Sequence, residues 1–253
     1  MSKHVFSIYI EDLSSILSNL NKNDEFDFKD KKTHDRIINT LRLQKDDELI
    51  FFNNSINIKI QLLDKTFENN KFIYAQIIEK KESKVLKPEI ILCPSLIKKH
   101  SLEELVYNAA AMGATIIRPV ITEKVQRKWG FEKEKERLEK IIIAACEQSK
   151  NYVLPELHGP IKLPMLLNGL ENLAGKKIFF ESDQKPLMEI IPDIASHKNG
   201  KIILFFGPEG GLTNQEVLLL RTKGFEGCSL TETILRSQEA VTVGLGVVRS
   251  ILR

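Results

Sequence analysis

The chain contains few cysteines and has no long uninterrupted apolar run. Its three cysteines, Cys93, Cys146 and Cys228, are widely spaced and no pair has the Cys-x-x-Cys spacing. This pattern predicts neither a disulfide framework nor a zinc site, and we expect no metal ion. No run approaches the about 18 apolar residues of a membrane span, and acidic Glu11 and Asp12 stand where a signal peptide would be basic or apolar. We therefore expect a cytoplasmic protein that does not enter a membrane.

A strong excess of one charge is also missing. The formal net charge is only +3, and the first 75 residues hold slightly more acidic than basic side chains. Any surface that binds a nucleic acid must therefore be a local patch rather than a basic domain. The hydrophobic content of 42% in 253 residues is enough for a sizeable core, and it predicts one large or two modest domains.

The most informative stretch is residues 201–216, which reads as a strand, a glycine loop and a helix. The apolar run 202–206 has the length and composition of a strand buried on both faces. The loop 207–211 (GPEGG) lets a ligand approach the main chain, and no lysine follows it as a P-loop would require. Thr213 and Glu216 predict a capping box at the start of the helix. Ligands bind at the carboxyl ends of parallel strands, which is where this loop falls.

A second stretch, residues 229–240, repeats this order of elements. A strand ends at Leu230, a short polar turn follows, and Ser237 can cap the next helix. We expect the two loops to lie side by side at one edge of the sheet. The final helix, residues 237–252, is apolar on nearly every face and predicts burial all round. Its two internal glycines, Gly244 and Gly246, predict a closely packed neighbour, which can be a second copy of the chain.

The rest of the chain divides into two compositional regions. Residues 4–80 carry the β-branched and aromatic bias of strands, which predicts a small barrel or sandwich. Residues 79–89 are rich in charge and contain a proline, so they predict a linker. From residue 90 onward, strand and helix patterns alternate, which predicts a parallel α/β sheet.

Several local signals accompany this division. Thr33 predicts the cap of a short helix in which His34 has a structural role. Ser101 and Glu104 predict another capping box. Further helices are expected at about 131–149, with its first half in water, and at about 185–195.

The GPEGG loop, a Leu-x-x-x-Ile-Leu-Arg segment and a helix that opens with Glu-Ala together resemble the SPOUT RNA methyltransferases, most closely the ribosomal small-subunit RNA methyltransferase E family. The resemblance implies an α/β trefoil-knot domain over residues 90–253, with the knot at about 177–253, after a PUA-like β-barrel over residues 1–78. It also implies a homodimer that uses S-adenosylmethionine (SAM). The implied activity is methylation of N3 of a uridine in 16S rRNA of the small ribosomal subunit.

Under this resemblance, small residues and main chain at the two loops suit SAM better than charged groups do. The cofactor-binding candidates are Glu181, Phe206, Gly207, Pro208, Gly210, Gly211, Leu230, Thr231, Ile234 and Leu235. Arg236 is a catalytic candidate that can hold a phosphate or stabilise negative charge on the base, although a salt bridge to Glu209 or Glu239 is an alternative. These two carboxylates are also the candidates for a general base.

The candidates for contact with RNA are long cationic or polar side chains in three segments: Arg36, Arg42, Lys45, Lys98, Lys99 and Gln148. The alternative is that the cations are solvated or paired with nearby acids. Some polar positions depart from the family pattern, including Gln238 where a glutamate is usual and Asn151 where an arginine is expected. Two other functions therefore stay open: another SPOUT methylation, such as that of a ribose 2′-oxygen, and an RNA-binding relative without turnover.

Overall fold

The computed structural model of the protein describes residues 5–68 and 72–252, and the chain divides into two compact units after Lys84. Each unit has its own sheet and its own buried apolar core. The strand-rich composition of the first region and the alternating pattern of the second predict this division.

The first unit is built on a five-stranded sheet in the order β1-β3-β4-β5-β2. Its strands are β1 (Phe6–Tyr9), β2 (Glu25–Lys29), β3 (Glu48–Phe52), β4 (Ile56–Leu62) and β5 (Phe72–Glu82). All neighbours pair antiparallel except β1 and β3, which are parallel. Alternate residues of β4, namely Ile58, Ile60 and Leu62, are fully buried in the core of this unit, as the two-residue period of a half-buried strand requires.

Two short helices, α1 (Leu13–Ile16) and α2 (Lys31–Asp35), connect these strands, and a π-helical turn (Arg36–Thr40) follows α2. The predicted cap at Thr33 is wrong. Asp30 caps α2 by accepting a hydrogen bond from the Lys32 N–H at 3.0 Å, and Thr33 lies one turn further on. His34 is buried with Nε2 2.9 Å from the carbonyl oxygen of Thr66, which agrees with its predicted structural role.

The second unit is built on a six-stranded sheet in the order β13-β11-β12-β6-β7-β9, in which all neighbours are parallel. The strands of this unit are β6 (Glu89–Pro94), β7 (Ile116–Ile117), β8 (Val120–Ile121), β9 (Glu156–Leu157), β10 (Ile161–Lys162), β11 (Lys176–Pro186), β12 (Lys201–Phe206) and β13 (Glu226–Ser229). Strands β8 and β10 form a separate parallel pair. The predicted parallel α/β sheet is confirmed, and the run 202–206 is buried as expected.

Six helices flank this sheet: α3 (Lys99–Ala111), α4 (Phe131–Ser149), α5 (Leu163–Gly169), α6 (Ile191–Ser196), α7 (Asn214–Thr222) and α8 (Ser237–Ile251). The bounds of α4 agree with prediction, and its first half is mostly exposed as predicted, except for the buried Glu134. Among the helices of the described ranges, none combines the length and apolar character needed to cross a membrane.

Three sequence-based boundaries differ from the structure. Strand β5 continues to Glu82 and β6 begins at Glu89, so part of the predicted linker 79–89 is strand. The charged residues 79–82 belong to β5 and pair with β4. Helix α3 begins at Lys99, so Ser101 lies inside the helix instead of capping it. The helix predicted at about 185–195 is shorter, because β11 extends to Pro186 before a 3₁₀ turn leads into α6.

Helix α8 packs one face against the unit and leaves another exposed, so the predicted burial all round is wrong for the single chain. Its buried positions include Val241, Gly244, Leu245 and Val248, whereas Val243 is 38% exposed. The closely packed neighbour predicted for Gly244 is present. A Cβ atom at this position would lie 3.0–3.1 Å from the ring of Phe206 in the same chain.

We expect Gly244→Ala to lower the free energy of unfolding by about 1 kcal/mol, because overpacking against the buried Phe206 ring outweighs the gain in helix propensity. Gly246→Ala is the matched control. Its Cβ would meet only the Met112 sulfur at 3.7 Å, so the helix-propensity gain of up to about 1 kcal/mol should stabilise the protein. Urea unfolding of the two variants measures the difference, and equal midpoints would show that Phe206 moves aside without cost.

Candidate functional site

A cavity of about 310 Å³ lies at the carboxyl ends of β12 and β13, beside the middle of β11. Its lining residues come from the middle of β11, just past the point where its pairing with β12 ends at Phe180, from the glycine loop after β12, and from the loop and helix after β13. They are Phe180, Glu181, Ser182, Phe206, Gly207, Pro208, Glu209, Gly210, Gly211, Leu230, Thr231, Thr233, Ile234, Leu235, Ser237 and Ala240. The structure thus brings all the cofactor-binding candidates to one cavity.

The glycine loop has a fixed shape. The Gly211 N–H donates a hydrogen bond to the Pro208 carbonyl at 2.9 Å, and Gly211 has a φ of +68°, which favours glycine. The Glu181 carboxylate accepts a hydrogen bond from the Leu212 N–H at 2.7 Å. A Cβ atom on Gly211 would lie 3.4 Å from this carboxylate. Glu181 therefore holds the loop from the neighbouring strand while it also lines the cavity.

The helix after the loop starts as predicted. The Glu216 carboxylate accepts a hydrogen bond from the Thr213 N–H at 2.9 Å, and the Thr213 hydroxyl accepts one from the Glu216 N–H at 3.3 Å. Glu216 also accepts a hydrogen bond from the Glu123 N–H at 2.8 Å. The capping box therefore serves a second purpose, because it attaches the segment after β8 to the glycine loop.

Lys124 strengthens this attachment, and sequence reasoning missed it. Its Nζ donates hydrogen bonds to the carbonyl oxygens of Gly210 at 2.8 Å and Leu212 at 3.2 Å. A lysine so far from the loop in sequence carries no local signal of this contact. Phe180 and Ser182 were also missed, although they are the sequence neighbours of the predicted Glu181. All three lie in the middle of β11, which continues to Pro186.

Part of the cavity wall is aromatic and aliphatic. The Phe206 and Phe180 rings stack with centroids 4.5 Å apart and an angle of 18° between their planes. In the second loop, the Thr231 hydroxyl donates a hydrogen bond to the Thr233 carbonyl at 2.6 Å. Ile234, in the same loop, is 90% exposed at the rim. The two stacked phenylalanine rings and the aliphatic side chains around them suit a flat heterocycle bound between the two loops.

Ser237 joins the two loops and does not cap α8 as predicted. Its hydroxyl donates a hydrogen bond to the Gly207 carbonyl at 2.8 Å. Arg236 occupies the N-cap position, and its backbone N–H donates a hydrogen bond to the Glu239 carboxylate at 2.9 Å. The start of α8 is therefore fixed by Glu239, and the serine is free to hold the glycine loop.

The three catalytic candidates lie in two adjacent pockets. Glu209 lines the first cavity, whereas Arg236 and Glu239 line a second pocket of about 400 Å³ with Glu104, Asn108, Gln238, Thr242 and Val243. The Arg236 side chain is exposed. Within the described residues its guanidinium forms no salt bridge, so the alternative of a bridge to Glu209 or Glu239 is not observed.

A family model described as an RNA methyltransferase domain matches residues 84–249, which is most of the chain and nearly all of the second unit. The chain belongs to this RNA methyltransferase family.

Relatives of this RNA methyltransferase are similar over most of its length. The ribosomal RNA small subunit methyltransferase E of Synechocystis sp. is 29% identical over 218 residues, which cover 84% of this chain and 69% of the relative. The protein of the same name from Buchnera aphidicola is 28% identical over 251 residues, which cover 97% of this chain and 96% of the relative. The resemblance to the methyltransferase E family is confirmed.

A solved structure shows the same fold. The ribosomal RNA small subunit methyltransferase E of Neisseria gonorrhoeae, bound to S-adenosyl methionine, matches with a TM-score of 0.77 and 24% identity over 98% of both chains. The predicted fold class, a small β domain followed by a SPOUT methyltransferase domain, is confirmed. The knot at about 177–253 and the domain limits 1–78 and 90–253 stay predictions.

The RNA-contact candidates of this methyltransferase lie in different places. Lys98 and Lys99 are exposed where the loop after β6 enters α3, at the edge of the sheet that holds the cavity. Gln148 is exposed near the end of α4 and does not line the cavity. In the first unit, Arg36 borders a shallow pocket in the α2 region, and Arg42 is exposed with a φ of +54°.

Lys45, the remaining candidate, is paired with a nearby acid, which was the alternative prediction for these cations. Its Nζ lies 2.5 Å from a carboxylate oxygen of Asp64, and both side chains are more than half exposed. Such an ion pair at the surface contributes little to stability, and it reduces the positive charge that Lys45 can offer to a phosphate.

The cysteines supply no reactive thiolate. All three cysteines are buried and free, and burial raises the pKa of the Cys93 thiol to about 12 and that of Cys228 to about 11. Both are therefore protonated at neutral pH and are poor nucleophiles. Among the residues that the structure describes, no group of His, Cys, Asp or Glu side chains is arranged to hold a metal ion.

Proposed function

We propose that this methyltransferase transfers the methyl group of SAM to N3 of a uridine in 16S rRNA of the small ribosomal subunit. The observation that carries the proposal is the single cavity that joins the GPEGG loop to the loop 230–235. It occurs in a chain that is related along nearly its whole length to small subunit methyltransferases E.

The cavity fits SAM in size and chemistry. Its volume lies at the lower end of the range for small-molecule sites, about 300–1,000 Å³. The stacked Phe180 and Phe206 rings and the side chains of Leu230 and Leu235 provide an apolar slot for adenine, and the main chain of residues 207–211 provides polar contacts to its edge. When bound, SAM supplies an electrophilic methyl group on a sulfonium.

Glu181 is the charged group best placed to hold a polar part of the cofactor. One carboxylate oxygen is used by the Leu212 N–H, which leaves acceptor capacity for a ribose hydroxyl or the amino group. The same residue therefore orders the glycine loop and contacts the ligand, so loss of its charge affects both.

The chemistry at the base requires removal of the N3 proton and stabilisation of the resulting negative charge. Arg236 is exposed beside the cavity and forms no salt bridge with any described carboxylate, so its guanidinium is available to a phosphate or to the deprotonated base. Positioning of N3 in line with the methyl group supplies much of the remaining rate.

Glu209 is the better of the two candidates for a general base. It lines the cavity and its side chain is exposed, whereas one oxygen of Glu239 is already bonded to the Arg236 N–H at the start of α8. That oxygen is occupied by the helix cap and is therefore less available to accept the N3 proton. We therefore assign Glu239 to positioning Arg236.

The RNA substrate approaches the edge of the sheet that carries Lys98 and Lys99, and Arg36 and Arg42 of the first unit supply further phosphate contacts. The protein acts as a homodimer in the cytoplasm, with the exposed face of α8 around Val243 as the apolar contact. Gln148 and Lys45 contribute least, because the first lies away from the cavity lining and the second is paired.

Labelling of ribosomal particles tests this proposal. Purified protein and SAM with a radiolabelled methyl group are incubated with small ribosomal subunits that lack base methylation. We expect stoichiometric labelling of the 16S rRNA. Large subunits are the control and should stay unlabelled; failure to label small subunits, or equal labelling of both, would contradict the proposed substrate.

A further inference from the structure

Phe131 is exposed in a conformation that is unfavourable for its residue type. It is the first residue of α4, its side chain is 78% exposed, and its φ is +51°. A bulky side chain in the left-handed region is rare and costs free energy, and a large exposed aromatic ring contributes nothing to the core. This combination indicates a ring placed for a contact outside the folded unit.

The loop that carries Phe131 is firmly held. The Arg127 guanidinium donates a hydrogen bond to the Ile97 carbonyl at 2.8 Å and forms an ion pair with Glu134, which is only 6% exposed. Glu134 also accepts a hydrogen bond from the Gly130 N–H at 2.8 Å. The segment is therefore anchored on both sides of Trp129, and the exposure of Phe131 follows from a built arrangement.

Exposed basic side chains lie next to this anchored segment, although the exposed Glu132 follows Phe131 directly. The bond to Ile97 brings it next to the exposed residues Lys98, Lys99 and His100, and Lys128 is exposed within the loop itself. In the ranges that the structure describes, neither Lys98, Lys99 nor Lys128 forms an ion pair. The nearby Glu103 is engaged by Arg137. An aromatic ring with unpaired lysines beside it is complementary to a nucleic acid, which offers bases for stacking and phosphates for charge.

The segment is also connected to the glycine loop by a short stretch of chain. Lys124 bonds directly to the glycine loop, and the residues between it and Phe131 span at most about 25 Å when fully extended. The Ser95 N–H donates to the Phe206 carbonyl at 2.8 Å, so the loop that precedes Lys98 adjoins the same strand end. An RNA whose target nucleotide enters the cavity therefore has neighbouring nucleotides within reach of Phe131.

We propose that Phe131 stacks on an unpaired base of the RNA substrate close to the target nucleotide, while Lys128, Lys98 and Lys99 contact the adjoining phosphates. The inference rests on the proposed function, because it takes the RNA as the substrate. Stacking on an aromatic side chain tolerates any base, so Phe131 adds affinity and orientation and does not read the sequence.

The test compares Phe131→Leu with Phe131→Tyr. Both retain a Cβ atom and a side chain of similar size, so the backbone strain stays, but only tyrosine preserves an aromatic face. Leu218→Ala on α7 is a control for loss of an exposed apolar side chain. Trp129 is the only tryptophan of the chain and lies two positions away, so its emission reports binding of a short uridine-containing single-stranded oligoribonucleotide.

We expect Phe131→Leu to raise the oligoribonucleotide Kd and the KM for small subunits about tenfold with kcat little changed, and Phe131→Tyr to restore both. Wild-type affinity in Phe131→Leu overturns the inference, as does a change of oligomeric state without a change in RNA affinity. Wild-type protein that binds RNA without transferring methyl groups contradicts the proposed function alone, since the Kd comparison still decides the role of Phe131.

Discussion

Arg236→Ala is expected to lower kcat for methyl transfer by about 10²–10³-fold, the range for losing one group that stabilises charge in a transition state. The backbone N–H of residue 236, which bonds to Glu239, is retained in the variant, so the start of α8 stays in place. The SAM Kd should change little, because Leu235 and Ser237 line the cavity proposed for the cofactor and Arg236 does not. Single-turnover kinetics with saturating SAM separate the two effects.

Arg221→Ala is the matched control for Arg236→Ala. Arg221 is exposed in α7 and its guanidinium donates a hydrogen bond to Gln184, away from both pockets that hold the catalytic candidates. We expect near wild-type kcat for this variant and partial activity for Arg236→Lys, which keeps the charge without the planar fork. If Arg236→Ala retains wild-type kcat, the assignment of charge stabilisation to this residue is wrong.

Glu181→Ala is expected to weaken SAM binding by about 10- to 100-fold, which corresponds to the about 1.5–3 kcal/mol of a hydrogen bond to a charged group. The variant loses the bond to the Leu212 N–H at 2.7 Å and with it the support of the glycine loop. It also loses the carboxylate that we propose contacts the cofactor. Isothermal titration with SAM measures the change directly.

Two further variants identify why Glu181→Ala should bind SAM more weakly. Glu181→Gln keeps an oxygen acceptor for the Leu212 N–H without the charge, so its affinity should lie between those of wild type and alanine. Asp183→Ala removes an exposed carboxylate two positions further along β11, outside the cavity lining, and should bind SAM normally. Wild-type affinity in Glu181→Ala would contradict both roles assigned to this residue.

The cavity between the two loops was predictable because its parts are local. A buried apolar run that stops at Gly207 and a capping box at Thr213 are both visible within a few residues of sequence. The second loop has the same order of elements, and the carboxyl ends of parallel strands meet at one edge. The GPEGG and Ile-Leu-Arg segments add the family, which composition and spacing do not indicate.

The features that could not be predicted depend on contacts between distant residues. Lys124 holds the glycine loop through two carbonyl oxygens. Because every residue has a backbone carbonyl, the sequence does not indicate which of them a distant lysine will contact. The start of α8 shows the same limit: serine is a common N-cap, but Ser237 bonds to Gly207 across the site. The positive φ of Phe131 lies between Arg127 and Glu134, whose ion pair spans seven positions and has no local signal in the sequence.

The identity of the methylated nucleoside is the most direct test of the proposed reaction. Small subunits lacking base methylation are treated with the protein and SAM, the 16S rRNA is digested, and the nucleosides are separated by mass spectrometry. We predict 3-methyluridine as the new product, absent when Arg236→Ala is used under single-turnover conditions too short for its residual rate. A 2′-O-methylated nucleoside, or no product despite binding of SAM and RNA, would contradict the assignment of uridine N3 as the target.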